Sequence, residues 1–261
     1  MNIIACVKQV PDTEARIRIA ADKVSIDEAE VSMALNPFDE YAVEEALRLK
    51  EKFGGDVTVI SVGEDKAVTA LRNCLAMGAD KAVLLKDGAF SGSDSLAVAR
   101  ILAAAIQPRD YDLLLFGKQA VGEDHCQVGP LVAEILNLPY VTSITRLEIH
   151  EKAAVAHREI EGATEVFECP LAAVFTAQKG LNEPRYASLK GIMMAKKKPI
   201  ETLSLADIGL SASDVGAEGA LTKIKALSPP PVRSEGKVIE GEPAEVAREL
   251  AKFLSDDAKI I

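Results

Sequence analysis

Short apolar runs alternating with longer amphipathic ones constrain this chain more than any motif in it. The runs "IIACVKQV", "VTVISV", "AVLLKD" and "DLLLFG" have strand length, and the segments between them, "FDEYAVEEALRLKEKF", "AVTALRNCLAMG" and "SLAVARILAAAI", carry helical periodicity. Strands that alternate with helices predict a parallel sheet joined by right-handed crossovers. Such strands are buried on both faces and need a core built without polar interruptions. The composition supplies one: hydrophobic residues make up 48% of the 261, yet aromatics only 4% with no Trp, so Ala, Val, Leu and Ile must fill it. The expected fold class is α/β, a doubly wound, mainly parallel sheet flanked by helices.

The first long helix has a start signal, Asn36 as a potential cap followed by Pro37 at the first helical position. After "DLLLFG" comes a long loop leading into an amphipathic helix, "KQAVGEDHCQVGPLVAEILNLP", and then the rhythm changes. Residues 141–177 read as extended segments, "VTSITRLEIH", "AAVAHREIEG", "TEVFECP" and "LAAVFTA", which complete the sheet in partly antiparallel fashion. From Pro199 to Glu242 the chain is rich in Ser, Gly, Pro and Ala and includes "SPPPVRSEG", so it reads as an extended arm before a terminal helix, "PAEVARELAKFLS". The expected division is residues 1–198 as the α/β domain and 199–261 as arm and helix. An aperiodic arm of roughly forty residues is either disordered or wrapped around a partner, and the partner is the favoured reading.

Several function classes are excluded on charge and pattern. A net charge of −10 argues against nucleic-acid binding, since Lys196, Lys197 and Lys198 form too short a basic patch. No apolar run approaches the roughly 18 residues of a membrane span. "MNIIACVKQV" lacks the basic, apolar and small-residue regions of a signal, so a cytoplasmic location without membrane insertion is expected. Cys6, Cys74, Cys126 and Cys169 form no C-x-x-C pair and His125, His150 and His157 show no ligand spacing, so no metal is expected. There is no G-x-G-x-x-G, and "SGSDS" at 91–95 follows the third strand, where Ser93 or Asp94 serves as a helix cap. The carboxylates of "EEALRLKEK" read as a solvated helix face pairing with Lys50 and Lys52. Arg158 and Glu159 in "AHREIEG" form an opposite-charge pair in an extended segment.

Ligands of open α/β sheets lie at the carboxyl ends of strands. Here those ends are residues 7–11, 61–64 and 117 onward, with residues 36–39 starting the first long helix. Gly117 and Gly122 permit tight turns, and the amides of residues 127–129 open a helix where an anion can bind. An ordinary strand–helix loop has the same spacing. Further on, "LNEPRYASLKGIMMAKKKPI", residues 181–200, cannot be a buried strand: Pro184 lacks an amide donor and the Lys triplet resists desolvation. It is expected at the surface.

Four stretches together, "NPFDEYAVEEALRLKE", "FGKQAVGEDHCQVG", "REIEG" and above all "LNEPRYASLKGIMMAKKK", resemble the β subunit of electron transfer flavoproteins over nearly the whole chain. The resemblance implies an adenine-nucleotide-binding version of the fold and an electron carrier of two unlike subunits, not an enzyme in itself. One FAD is held mainly by the α subunit, dehydrogenases such as those of acyl-CoA donate electrons, and a quinone reductase accepts them. The β subunit holds a structural AMP. Carried over, that cofactor pocket comprises Cys6, Asn36, Pro37, Phe38, Asp39, Val62, Gly117, Lys118, Gln119, Ala120, Val121, Gly122, Glu123, Asp124, His125, Cys126, Gln127 and Val128, with Phe38 near the flavin. Arg158 and Glu159 match a pair at the subunit boundary, and the arm matches the segment that reaches around the α subunit. The residues that dock on dehydrogenases match Arg185, Tyr186, Ala187, Ser188, Leu189, Lys190, Gly191, Ile192, Met193 and Met194, with Leu189 as apolar anchor.

Departures keep an alternative open. Thr13 replaces an aromatic found near the flavin in many relatives, and Val128 replaces a Thr able to bond the phosphate. "QVGP" resembles the electron-bifurcating branch, whose pocket holds a second FAD and whose donor is NADH, while "GEDH" departs from that branch's Asp-Gly-Asp-Thr loop and "IMMAKKKPIE" resembles the ordinary branch. AMP is the favoured reading. A nucleotide sensor or hydrolase on the same scaffold would have to rely on Lys118, Asp124 and His125, which form no recognisable triad.

Overall fold

Alternation along β1 (Ile3–Cys6) sets the layers. Ile3 and Ala5 point into one hydrophobic cluster and Ile4 and Cys6 into another. The same two-residue period divides β4 (Val57–Val62), β5 (Lys81–Leu85) and β6 (Leu113–Gly117), so each is buried on both faces, as parallel strands must be. On the first face lie α1 (Pro37–Phe53), α2 (Val68–Met77) and, through Ala195, α5 (Leu189–Ala195). On the second lie α3 (Ser95–Ile106) and α4 (Val128–Ile135). The doubly wound expectation is met.

The computed structural model describes residues 1–231, 236 and 238–261. The remaining elements are β2 (Gln9–Pro11), β3 (Met33–Leu35), β7 (Tyr140–Ile149), β8 (Ala153–Ile160), β9 (Ala163–Pro170), β10 (Ala173–Ala177), β11 (Glu201–Leu203), α6 (Gly216–Gly219) and α7 (Pro243–Lys252). The main sheet runs β11-β5-β4-β1-β6-β10-β7-β8-β9. Pairing is parallel from β11 to β7, and β8 and β9 extend the sheet antiparallel. β10, late in sequence, lies between β6 and β7. The first expected strand, "IIACVKQV", divides after Cys6: β2 leaves the main sheet and pairs antiparallel with β3, a strand that the periodicity does not announce.

Two units are distinguishable, Met1–Ala226 and Leu227–Ile261. The first therefore runs past the boundary expected after residue 198. β11 satisfies the edge of β5, and Leu203, Leu205, Ile208 and Leu210 pack against the second core face. Hydrogen bonds secure the rest: Asp94 Oδ2 accepts from the amides of Leu221 (2.8 Å) and Thr222 (2.9 Å), and Arg100 donates to the Asp214 carbonyl (3.1 Å). Residues 199–226 of the expected arm thus belong to the first unit, because their apolar residues had a face to cover. The second unit contains α7, which continues as a π-helical turn, Phe253–Asp257. Part of "SPPPVRSEG", residues 232–235, lies outside the described residues.

Leu115, in β6 at the sheet's centre, is fully buried. Leu115→Ala should lower the unfolding free energy by about 3 kcal/mol without changing the denaturant slope, as read from urea unfolding.

Candidate functional site

Buried polar side chains must find hydrogen-bond partners, and two at the start of α1, Asn36 and Asp39, build the site in doing so. Asn36 Nδ2 donates to the Gln119 carbonyl (2.8 Å), and its Oδ1 accepts from the Val121 amide (3.2 Å). Asp39 Oδ2 accepts from the Lys8 amide (2.6 Å) and Oδ1 from the Gly117 amide (3.1 Å). The end of β6, its following loop and the segment after β1 are therefore fixed to one helix terminus. Asn36 makes no side-chain cap to its own helix, contrary to the expectation, because its amide is engaged by the loop. Gly117 has no room for a side chain: a Cβ would stand 2.2 Å from Asp39 Oδ1.

The loop beyond is held by its own polar groups. Gln119 Nε2 donates to Asp124 Oδ1 (2.6 Å), Cys126 Sγ lies 3.2 Å from Gln119 Oε1, and Lys8 Nζ pairs with Glu123 Oε1 (2.5 Å). Gly122, Asp124 and Cys126 take left-handed backbone angles, φ 90°, 52° and 55°, strained for the two non-glycines. His125 Nδ1 lies 3.2 Å from Ser95 Oγ, at the first residue of α3. The Asp124 carboxylate is thus engaged by Gln119 and the His125 ring by Ser95, and the two side chains do not pair with each other. The loop ends where α4 begins at Val128, and Gln127, its cap residue, makes no side-chain cap bond. Such a helix start leaves amides for an anion. Cys6 ends β1, in register with Ile60 and Phe116, and Val62 ends β4. Pro37 is the first residue of α1, and Phe38 is half-buried beside it.

Farther along α1 the structure departs from the sequence reading. Glu44 and Glu45 are buried and do not form a solvated face, and Lys50 pairs with Asp80 (2.7 Å). Glu44 receives Arg48 Nε (2.7 Å) and Arg185 Nε (2.7 Å), and Glu45 accepts from Asn182 Nδ2 (2.9 Å). Residues 182–185 cover this part of the helix, and helical periodicity cannot reveal a cover that comes from far along the chain. Hydrogen bonds from Arg185 and Arg48 keep the Glu44 carboxyl below its ordinary pKa against the desolvation. Arg185, read as a docking residue, directs its guanidinium into its own chain, also reaching Glu51 Oε1 (2.5 Å).

Beyond it the surface is apolar. Tyr186 is 98% exposed, Leu189 77%, and Ile192, Met193 and Met194 are exposed as well. The segment is a short helix more than a loop: Ser188 Oγ accepts from the Gly191 amide (3.0 Å) and caps α5. Ala187 packs against the first core face, and Lys190 is exposed. Of the Lys triplet, Lys198 is committed to the Ala79 carbonyl (2.6 Å). Arg158 and Glu159 lie on β8, Arg158 half-buried and 3.8 Å from Glu165 of β9, Glu159 exposed. Cys6, Cys74 and Cys169 are buried thiols and Cys126 is exposed. No helix among the described residues is long and apolar enough to cross a membrane.

Burial pushes the Asp39 carboxyl up to about 7, although bonds from Asn36 and the Lys8 and Gly117 amides pull it down. The folded pKa lies above the unfolded value of 3.8, so the folded state binds the extra proton between them. Stability should therefore fall as pH rises from about 4 to 7, by up to ~1.4 kcal/mol per pH unit. Thermal unfolding across that range should show a shallower decline for Asp39→Asn than for the unsubstituted chain, whatever its absolute stability.

The electron transfer flavoprotein domain family matches residues 23–208. The electron transfer flavoprotein subunit beta of Bacillus subtilis is 44% identical over 262 residues, covering 100% of both chains. That of Thermoanaerobacterium thermosaccharolyticum is 41% identical over 256 residues, 98% of each. The caffeyl-CoA reductase-Etf complex subunit CarD of Acetobacterium woodii is 40% identical over 259 residues, again 98% of each. With end-to-end similarity of this degree, and the α/β fold that carries it, the chain belongs to the electron transfer flavoprotein family as a member of its β-subunit branch.

Proposed function

We propose that the chain binds AMP in the pocket formed by Cys6, Asn36, Pro37, Phe38, Asp39, Val62 and residues 117–128, and pairs with an α subunit that holds most of one FAD. The observation that carries this reading is the loop fixed by Asn36 and Asp39 and ending on an uncapped helix start. Uncapped amides suit a single phosphate, and Lys118 adds a positive charge. Glu123 and Asp124 oppose an anion, but Lys8 offsets the first and Gln119 engages the second. When bound, the flavin supplies the electron chemistry. The chain's own residues bind and position, and none is catalytic.

In this reading, dehydrogenases such as those of acyl-CoA dock on residues 185–194 with Leu189 as anchor, a quinone reductase receives the electrons, and the place of action is the cytoplasm. The exposure of Leu189, Ile192 and Met193 around a capped helix supports a docking role, since Met adapts to several partners. Residues 199–261 and the pair Arg158 and Glu159 meet the α subunit, with Glu159 exposed for the purpose. Residues 199–226 do so while packed in their own domain.

A second reading, a second FAD in the pocket with NADH as donor, is favoured by "QVGP", by the missing hydroxyl at Val128 and by the similarity to the caffeyl-CoA reductase-Etf subunit.

Acid release of ligands from the purified heterodimer should give one FAD and one AMP, and two flavins without AMP would establish the second reading. Burying one Leu side chain stabilises by roughly 1.5 to 3 kcal/mol, so Leu189→Ala should weaken dehydrogenase docking by about 10- to 150-fold. The measurement is electron transfer from an acyl-CoA dehydrogenase at several carrier concentrations, with chemical reduction of the flavin as the control that should not change.

A further inference from the structure

The exposed apolar segment is fastened at both ends by polar contacts to the body of the domain, those at the entry reaching the buried Glu44. At its entry, Arg185 is enclosed by carboxylates: Nε to Glu44 (2.7 Å), a second guanidinium nitrogen to Glu51 (2.5 Å), and its backbone amide to Glu44 as well (3.2 Å). At its exit, Arg72 of α2 donates to the carbonyls of Ala195 and Lys198 (the latter 2.5 Å), covering the C-terminal end of α5. Between these points Gly191 lets α5 settle on the end of α2, where a Cβ would stand 2.3 Å from the Ala76 carbonyl oxygen.

α5 has seven residues and only Ala195 is buried. A helix of this length does not persist in water on its own, and one buried methyl offers little packing. Beside the close seat on α2 and the packing of Ala187, the ion pairs and carbonyl bonds hold it. We propose that Glu44 and Arg72 are positioning residues for partner docking, holding residues 186–194 in the geometry a dehydrogenase binds without touching the partner themselves. The inference rests on reading Leu189 as the docking anchor. A segment ordered before encounter does not lose that order's entropy on binding, so loosening either end lowers affinity and leaves the bound complex's chemistry intact.

The test uses the holo heterodimer carrying Glu44→Gln or Arg72→Met, with Leu189→Ala alongside. Two quantities are read: KM against kcat for the carrier with an acyl-CoA dehydrogenase, and hydrogen exchange of the amides of residues 186–194. Glu44→Gln and Arg72→Met should raise KM about tenfold, leave kcat within twofold, and speed exchange in that segment but not in residues 119–128. Leu189→Ala should raise KM without altering exchange. The positioning role is overturned if exchange of the segment stays as slow in both variants, or if it quickens while KM is unchanged and Leu189→Ala still raises it. Should Leu189→Ala leave KM unchanged, the docking reading itself fails, and with it this inference, even if exchange shows the fastening intact. If Glu44→Gln does not assemble, because it strands two arginines, Arg72→Met decides alone.

Discussion

A buried carboxylate that accepts one amide from each of two chain segments is the constraint around which the rest of the molecule is arranged. Asp39 joins the segment after β1 to the end of β6, the two strands at the centre of the sheet. Desolvation opposes its charge, and hydrogen bonds from Asn36 and the Lys8 and Gly117 amides favour it. The carboxyl is consequently tolerable only where both amides stay in place, which makes the meeting of strand ends and helix start an all-or-none arrangement.

α1 then serves two ends. Its first turn organises the loop at residues 117–128, and its middle organises residues 182–185 through Glu44 and Glu45. One rigid helix thus sets the distance between the proposed nucleotide pocket and the proposed docking surface. Buried ion pairs are poor sources of net stability, but losing one partner is costly. The Glu44 cluster accordingly contributes more to where the covering segment lies than to how firmly the domain folds.

The parts of this architecture that local pattern encodes could be read without coordinates. The strands β1, β4, β5 and β6, α1 to α4, the antiparallel extension and the surface position of residues 181–200 all follow from periodicity, Pro and charge. What escaped depends on partners remote in sequence. Asn36 has the chemistry of a cap, and only the folded loop shows that its amide is turned to Gln119 and Val121. Glu44 looks like a solvated residue until Arg185 arrives from 141 positions away. The strand Glu201–Leu203 sits in a stretch whose Ser, Gly and Pro content suggests a loose arm, although the apolar "LSLADIGL" that follows its start was a signal for packing. The individual contacts of the loop at residues 117–128 were not legible at all, since left-handed angles at Asp124 and Cys126 have no glycine to mark them.

The place of β10 has a bearing on how the chain is made. β6 pairs with β1 on one side and with β10 on the other, and β10 ends at Ala177. As the ribosome extends the chain, β1, β4, β5 and β6 can associate once residue 117 has emerged, yet β6 keeps an open, apolar edge until some sixty further residues follow, on the order of seconds to ten seconds of synthesis. During that interval β7, β8 and β9 must leave a gap one strand wide, because β7 cannot settle directly against β6 without excluding β10. Long-range parallel pairing is slow and exposes such edges. The nascent chain is therefore open to misassociation in this window, before a strand only five residues long fills the place beside β6, and the β5 edge waits longer still for β11.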